Sequence, residues 1–310
     1  MLSRIAQSLY WIGRLVERAE DTARLLDVHV SLLLEDMAAD EKRMCTEVIT
    51  ALGAGPAVAP PSTTAELLDV LAYGDDSPIF GALVTARDNA RTVREAISSE
   101  LWEALNMTRN ALPAQRAKAR KSSAYDFFGF VKLRAALVAG LADSTMARDD
   151  GWYFFVLGRN LERVDMTARI LSVARSSSDP QLASVALMRA CGAFEAYLRT
   201  YRAMVVTQQA AEFLLLDRLF PRSVLHALTV AEQALLHLSP TSSHRTGIGD
   251  RGLLALGRAR TRLEYADPTS TLEDMPSHLR EVQQACNEAS EAVGERFFDL
   301  QTVINWSVGT

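Results

Sequence analysis

A chain of 310 residues, 48% of them hydrophobic, carries enough apolar material for one large or two average domains and is no candidate for intrinsic disorder. Its formal net charge of -5 lends no support to nucleic-acid binding. The 33 basic residues are four lysines and 29 arginines, an excess that reflects either codon supply or a need for planar, always-charged, bidentate guanidinium groups.

Between a few Gly/Pro clusters, apolar residues recur at i, i+3, i+4 and i+7, the helical period. In chain order this spacing predicts helices over 3–36, 39–52, 63–73, 78–112, 124–148, 150–174, 181–219, 222–237, 250–265 and 271–300. The breaks between them fall at 53–62, 73–78, Pro113, 176–180, 239–249 and 267–268. Alternating β-branched runs and Asn-Gly hairpin turns are missing, so the expected fold is all-α. The N-terminus enters an amphipathic charged stretch directly, which predicts no signal peptide. No apolar run approaches the ~20 residues of a membrane span. Cys45, Cys191 and Cys286 share no disulfide or zinc spacing, and no cofactor is expected. A cytoplasmic location follows as the expectation.

The most informative feature is an internal match. Residues 9–28, LYWIGRLVERAEDTARLLDV, align without gaps on 154–173, FFVLGRNLERVDMTARILSV, with nine identities in twenty at an offset of 145. A shorter pair follows in the same order: Arg87, Ala90, Arg91, Thr92 and Val93 against Arg218, Pro221, Arg222, Ser223 and Val224. The reading is a helical bundle of two duplicated halves, 1–149 and 150–310, related by a pseudo-twofold and packed as one unit.

On a helical wheel Ile12, Leu15, Val16, Ala19, Ala23 and Leu26 form an apolar face about 120° wide. Arg14, Glu17, Arg18, Glu20, Asp21 and Arg24 lie opposite, and the second copy places Arg159, Glu162, Arg163, Asp165 and Arg169 likewise. A solvated charged face should drift faster than a core, yet here the Gly, Arg, Glu and Arg positions are the identical ones while Leu15 faces Asn160 and Ala19 faces Val164. Gly13 and Gly158 mark a close approach of backbone or ligand, since a mid-helix glycine costs about 1 kcal/mol relative to alanine. The Gly-Arg-x-x-Glu-Arg face is therefore expected at a helix contact or in a cleft.

Two arrangements fit. In one, the copies face each other, with Arg14 reaching Glu162 and Arg159 reaching Glu17 as an ion-pair set that docks the halves. In the other, Arg14, Arg18, Arg159 and Arg163 converge with Arg91 and Arg222 on an anionic ligand, with Glu17 or Glu162 as the catalytic base. Gly13, Gly158, Trp11, Arg24 and Arg169 are read as structural. A metal pair on Glu17, Glu20, Glu162 and Asp165 is disfavoured, because no Glu-x-x-His accompanies them. His226, one turn beyond Arg222, is a candidate to join such a cleft, and the basic run 116–121 is a candidate docking patch for an acidic partner.

The strings Leu9-Tyr10-Trp11-Ile12-Gly13-Arg14-x-x-Glu17-Arg18 and Gly158-Arg159-x-x-Glu162-Arg163, with Ala86–Arg91, Trp102-Glu103-x-x-Asn106, Gly151-Trp152 and Pro221-Arg222-Ser223, resemble the bacterial alpha-E family. The resemblance covers nearly the whole chain. It implies an all-helical fold and a setting beside a circularly permuted ATP-grasp amide ligase and a transglutaminase-like peptidase. On that footing the chain is expected to scaffold the ligase or present its peptide or amino-acid substrate. The alternative is an enzyme acting on amide bonds at the Arg/Glu face. Homo-oligomerisation is compatible with either, and neither calls for nucleic acid or membrane.

Overall fold

The computed structural model describes residues 2–35, 40–53, 61–174, 179–239 and 250–298, and among these every regular element is a helix. In chain order they are α1 (Ser3–Glu35), α2 (Glu41–Ala51), α3 (Thr64–Leu68), α4 (Phe80–Thr92), α5 (Ser99–Lys121), α6 (Ala124–Thr145), α7 (Asp150–Ala174), α8 (Pro180–Ala190), α9 (Phe194–Tyr201), α10 (Thr207–Leu216), α11 (Val224–Leu238), α12 (Arg251–Glu264), α13 (Pro268–Glu273) and α14 (Met275–Val293). Wider π turns continue α3 over Asp69–Tyr73 and α14 over Gly294–Phe298.

The centre of the molecule is the pair α1 and α7, the two helices that carry the matched strings. They lie against each other, with α2, α4, α6 and α8 around α1 and with α8, α11 and α14 around α7. Their apolar stripes, among them Leu9, Ile12, Leu26, Leu157, Leu161 and Val164, belong to one continuous core. The expected glycine contacts are present and reciprocal. A Cβ on Gly13 would collide with the Phe155 carbonyl, and one on Gly158 with the Tyr10 carbonyl. Two glycines thus let the backbones approach where any side chain would wedge them apart.

Two long predicted helices are each broken. The 78–112 stretch is α4 and the start of α5, interrupted at Val93–Ser98, where Ser98 caps α5 by accepting the Leu101 N–H at 3.1 Å. A serine followed by Ser99 and Glu100 is an N-terminal signal inside what reads as continuous periodicity. The break expected at Pro113 does not occur. Proline lies within α5 on its exposed side, where water can satisfy the carbonyl it leaves free. The 181–219 stretch is three helices, α8 to α10, because Gly192 and Arg202 take left-handed φ of 61° and 50°. The break expected over 239–249 lies almost wholly outside the described residues, as does part of that over 53–62.

The α2 and α8 helices share a design. Each has 11 residues, begins on an aspartate cap (Asp40, Asp179) and ends two residues before a left-handed glycine, Gly53 at 71° and Gly192 at 61°.

Candidate functional site

The charged faces of α1 and α7 point at each other. Glu162 on α7 is 2% exposed and accepts from Arg14 Nε at 2.8 Å, Arg18 Nε at 2.5 Å and Arg18 Nη2 at 3.1 Å. Glu17 on α1, also 2% exposed, accepts from Arg163 Nε at 2.7 Å and Nη2 at 2.9 Å and pairs with Arg222 Nη1 at 2.9 Å. Bidentate forks are the strongest hydrogen-bonded form of such a pair. Both carboxylates are thus held by arginines across the helix crossing, and each arginine of the Arg18/Arg163 match takes the opposite helix's glutamate.

Each pole of this crossing is closed by another element. On one side Arg14 Nη1 donates to Tyr10 Oη at 3.1 Å and to Ser290 Oγ of α14 at 2.9 Å, and its guanidinium lies 5.7 Å from the Trp11 ring centroid. On the other, the turn before α11 delivers Arg222. Asp217 Oδ1 gathers the Leu219 and Phe220 N–H groups at 2.8 and 2.7 Å, Ser223 caps α11 through the His226 N–H at 3.1 Å, and Thr167 of α7 donates to the Arg222 carbonyl at 3.2 Å. The Arg222 guanidinium then meets three carboxylates, Glu17, Glu20 at 2.7 Å and Asp21.

Electrostatics follow from this crowding. Burial would raise the Glu17 pKa, but Arg163 and Arg222 overrule it and hold the carboxyl at about 2. Glu162 is lowered in the same way by Arg14 and Arg18 against its burial. Asp21 is the odd carboxylate of its trio. Its burial outweighs the pull of Arg222, the neighbouring Glu17 and Glu20 add to it, and the group rises to about 8. One of its oxygens is buried without a hydrogen-bond partner.

Arg24 and Arg169 are paired along their own helices, with Glu20 at 2.8 Å and Asp165 at 2.9 Å. Their guanidiniums also occupy the space that a Cβ on Gly192 and on Gly53 would need. The break at Gly53 is the one expected from the sequence, whereas that at Gly192 was hidden inside the predicted 181–219 helix, although Ala190-Cys191-Gly192 is a recognisable helix end.

Several expectations are corrected. Arg159 does not reach Glu17. Its Nε is buried without a hydrogen-bond partner, its guanidinium lies 5.6 Å from the Phe155 ring centroid, and burial with the charge of Arg163 pushes its pKa down. Arg91 is exposed on α4 and joins no ion pair among the described residues, so it does not converge with Arg222. His226 turns away, its Nδ1 donating to the Arg218 carbonyl at 2.8 Å. Three of the four bases in the run 116–121 pair with neighbouring acids: Arg116 with Asp75 at 2.7 Å, Lys118 with Asp126 at 2.8 Å and Arg120 with Asp69 at 2.6 Å. Among the described residues no group of three or more His, Cys, Asp or Glu side chains is placed to hold a metal ion, and no helix is long and apolar enough to cross a membrane. All three cysteines are free and buried.

The model of a family described as a predicted alpha-helical domain with a conserved ER motif, Alpha-E, matches residues 1–298. Similar curated proteins include an uncharacterised protein of Mycobacterium bovis and two of Mycobacterium tuberculosis, each 29% identical over 318 residues that cover 89% of this chain and 34% of theirs. The chain therefore spans about a third of the length of these relatives. No solved structure matches.

Proposed function

The chain belongs to the alpha-E family, and on that premise we propose that it is a non-catalytic module that scaffolds an ATP-grasp peptide ligase or presents the ligase's peptide or amino-acid substrate. The observation that carries this reading is the saturation of Glu17 and Glu162. Each is buried and held by two arginines that lower its pKa below the ordinary carboxylate value, and a carboxylate so lowered is a poor proton acceptor at neutral pH. The matched motif is then spent on holding α1 to α7, which leaves the outer surface for partners. Relatives in which the matched region is 34% of the chain fit a module that works beside other domains.

The test is co-purification of this chain with a circularly permuted ATP-grasp ligase encoded beside it, followed by ligase turnover with and without the chain. Association at micromolar concentration with a change in turnover is expected. Two proteins that neither bind nor alter each other's kinetics would exclude the reading. Co-purification with a transglutaminase-like peptidase from the same setting is a parallel readout of the same scaffold role.

One observation favours the second reading, an enzyme acting on amide bonds at the Arg/Glu face. Arg159 is the single guanidinium of the crossing with an unsatisfied buried Nε, and a substrate carboxylate is the chemistry that would satisfy it. Under that reading Arg159→Gln abolishes turnover with no loss of thermal stability.

A further inference from the structure

The α6 helix is apolar on every side, yet only part of its circumference is covered. Its inner side, Phe127, Phe128, Val131, Ala135, Val138 and Ala142, is buried. Its outer side carries Leu133 at 70% exposure and Leu137 at 39%. A helix apolar all round belongs in an interior, so the outer strip lacks the neighbour that its sequence suits. At the level of Arg134, whose Nε donates to Thr108 Oγ1 of α5 at 2.7 Å, α5 adds the exposed Met107.

The strip is also uncharged between its ends. Lys132 and Arg134, the two charged residues between Asp126 and Asp143, are drawn to the flanks, where Lys132 pairs with Asp27 of α1 at 2.5 Å and Arg134 Nη2 donates to the Ala104 carbonyl at 2.6 Å. Two mid-helix glycines, Gly129 and Gly140, lie on the strip with nothing within 4 Å of the Cβ they lack. At Gly13 and Gly158 the cost of a helical glycine is offset by the close approach of a second helix. No second helix stands over Gly129 and Gly140 among the described residues.

In sequence the strip reads Asp126-x-x-Gly129-x-x-x-Leu133-x-x-Ala136-x-x-x-Gly140-x-x-Asp143, six exposed positions within about 100° of the helical circumference. Its spacing is the same in both directions. We propose that α6 pairs antiparallel with α6 of a second copy of this chain across a twofold axis through the middle of this strip. The axis sets Gly129 opposite Gly140 and Leu133 opposite Ala136 of the other copy, so bulk meets a small residue and the backbones approach. At each end Asp126 comes opposite Asp143, and each brings a base: Lys118 lies 2.8 Å from Asp126 and Arg148 2.9 Å from Asp143. Each end therefore closes on two acids and two bases, and each acid gains a second base across the interface. The strip is about 26 Å long, and with α5 alongside it offers on the order of 500 Å² per copy, the size class of a reversible pairing. This pairing uses none of the residues of the Glu-Arg crossing and stands whether or not the scaffold reading holds.

Sedimentation velocity of the full chain from about 1 to 100 μM should show a monomer passing to a dimer. Leu133→Glu removes two leucine contacts per dimer and should weaken the pairing by about 100-fold, with an unchanged melting temperature in dilute solution because the position is exposed in the single copy. Cross-linking reads the register. The natural cysteines are buried, so Asp126→Cys and Asp143→Cys each present one accessible thiol. Mixed under mild oxidation, the two variants should form a disulfide-linked pair that neither forms alone, since the two copies of position 126 stand about 26 Å apart along the paired helices. A chain that stays monomeric to about 100 μM, a dimer untouched by Leu133→Glu, or either cysteine variant linking to itself as readily as to the other would each overturn the proposal. Association through this strip with a different protein alone would assign the face to that protein and overturn it likewise.

Discussion

At the scale of single residues, burial reverses the usual meaning of a charged helix face. Arginine and glutamate on α1 and α7 look like i,i+4 surface pairs worth a few tenths of a kcal/mol, yet Glu17 and Glu162 are 2% exposed and each loses two guanidiniums if neutralised. Glu162→Gln is expected to cost about 3–5 kcal/mol, because Arg14 and Arg18 are left with no anion; equilibrium urea denaturation measures it, and a change below about 1 kcal/mol would remove the structural role. Asp21 behaves oppositely. Its folded pKa of about 8 lies above its ordinary 3.8, so its contribution favours folding at low pH and is lost as pH rises from about 4 to about 8. Glu17, lowered to about 2, contributes stability above its ordinary value that is lost only as pH falls from about 4.5 to about 2. Asp21→Asn should therefore be more stable than the natural chain at pH 8 and gain little at pH 4, read from melting temperatures across that range.

At the scale of the element, glycine substitutions separate close approach from helix propensity. Gly13→Ala and Gly158→Ala place a methyl against a backbone carbonyl of the other helix, so both should destabilise strongly despite alanine's better propensity. Gly129 and Gly140 on α6 meet nothing within 4 Å, and alanine there should stabilise by up to about 1 kcal/mol. Thermal or chemical denaturation of the four variants gives opposite signs if the α1–α7 contact is as described. Helix limits were legible wherever a cap or break had a composition signal: α1, α2, α6, α7 and α11 start and stop within a few residues of the periodicity. Pro113 misled because its effect depends on which side of α5 faces water. The Val93–Ser98 interruption was hidden because Ile97 and Leu101 keep the apolar spacing across it.

At the scale of the whole molecule, the helices that match in sequence pack against each other, and one core spans both sides of the expected 149/150 division. Residues 1–149 expressed alone would expose the α7-facing side of α1 with its unpaired Arg14, Glu17 and Arg18. That fragment is expected to lack cooperative thermal unfolding by circular dichroism, and to regain it on mixing with 150–310. A fragment that melts cooperatively by itself would show that the halves are independent.

Periodicity and the paired Gly-Arg-x-x-Glu-Arg strings determined the helical class, the two central helices and the residues at their crossing, because hydrophobic spacing and a repeated motif are local properties of the chain. Which arginine meets which glutamate was decided only in three dimensions. Arg18 rather than Arg14 alone serves Glu162, Arg163 and Arg222 take the place expected of Arg159 at Glu17, and Arg91 stays outside. The reason is geometric: a guanidinium fork finds its carboxylate through the crossing angle and register of two helices and the path of the turn at Arg222, and these are set by packing of the whole core.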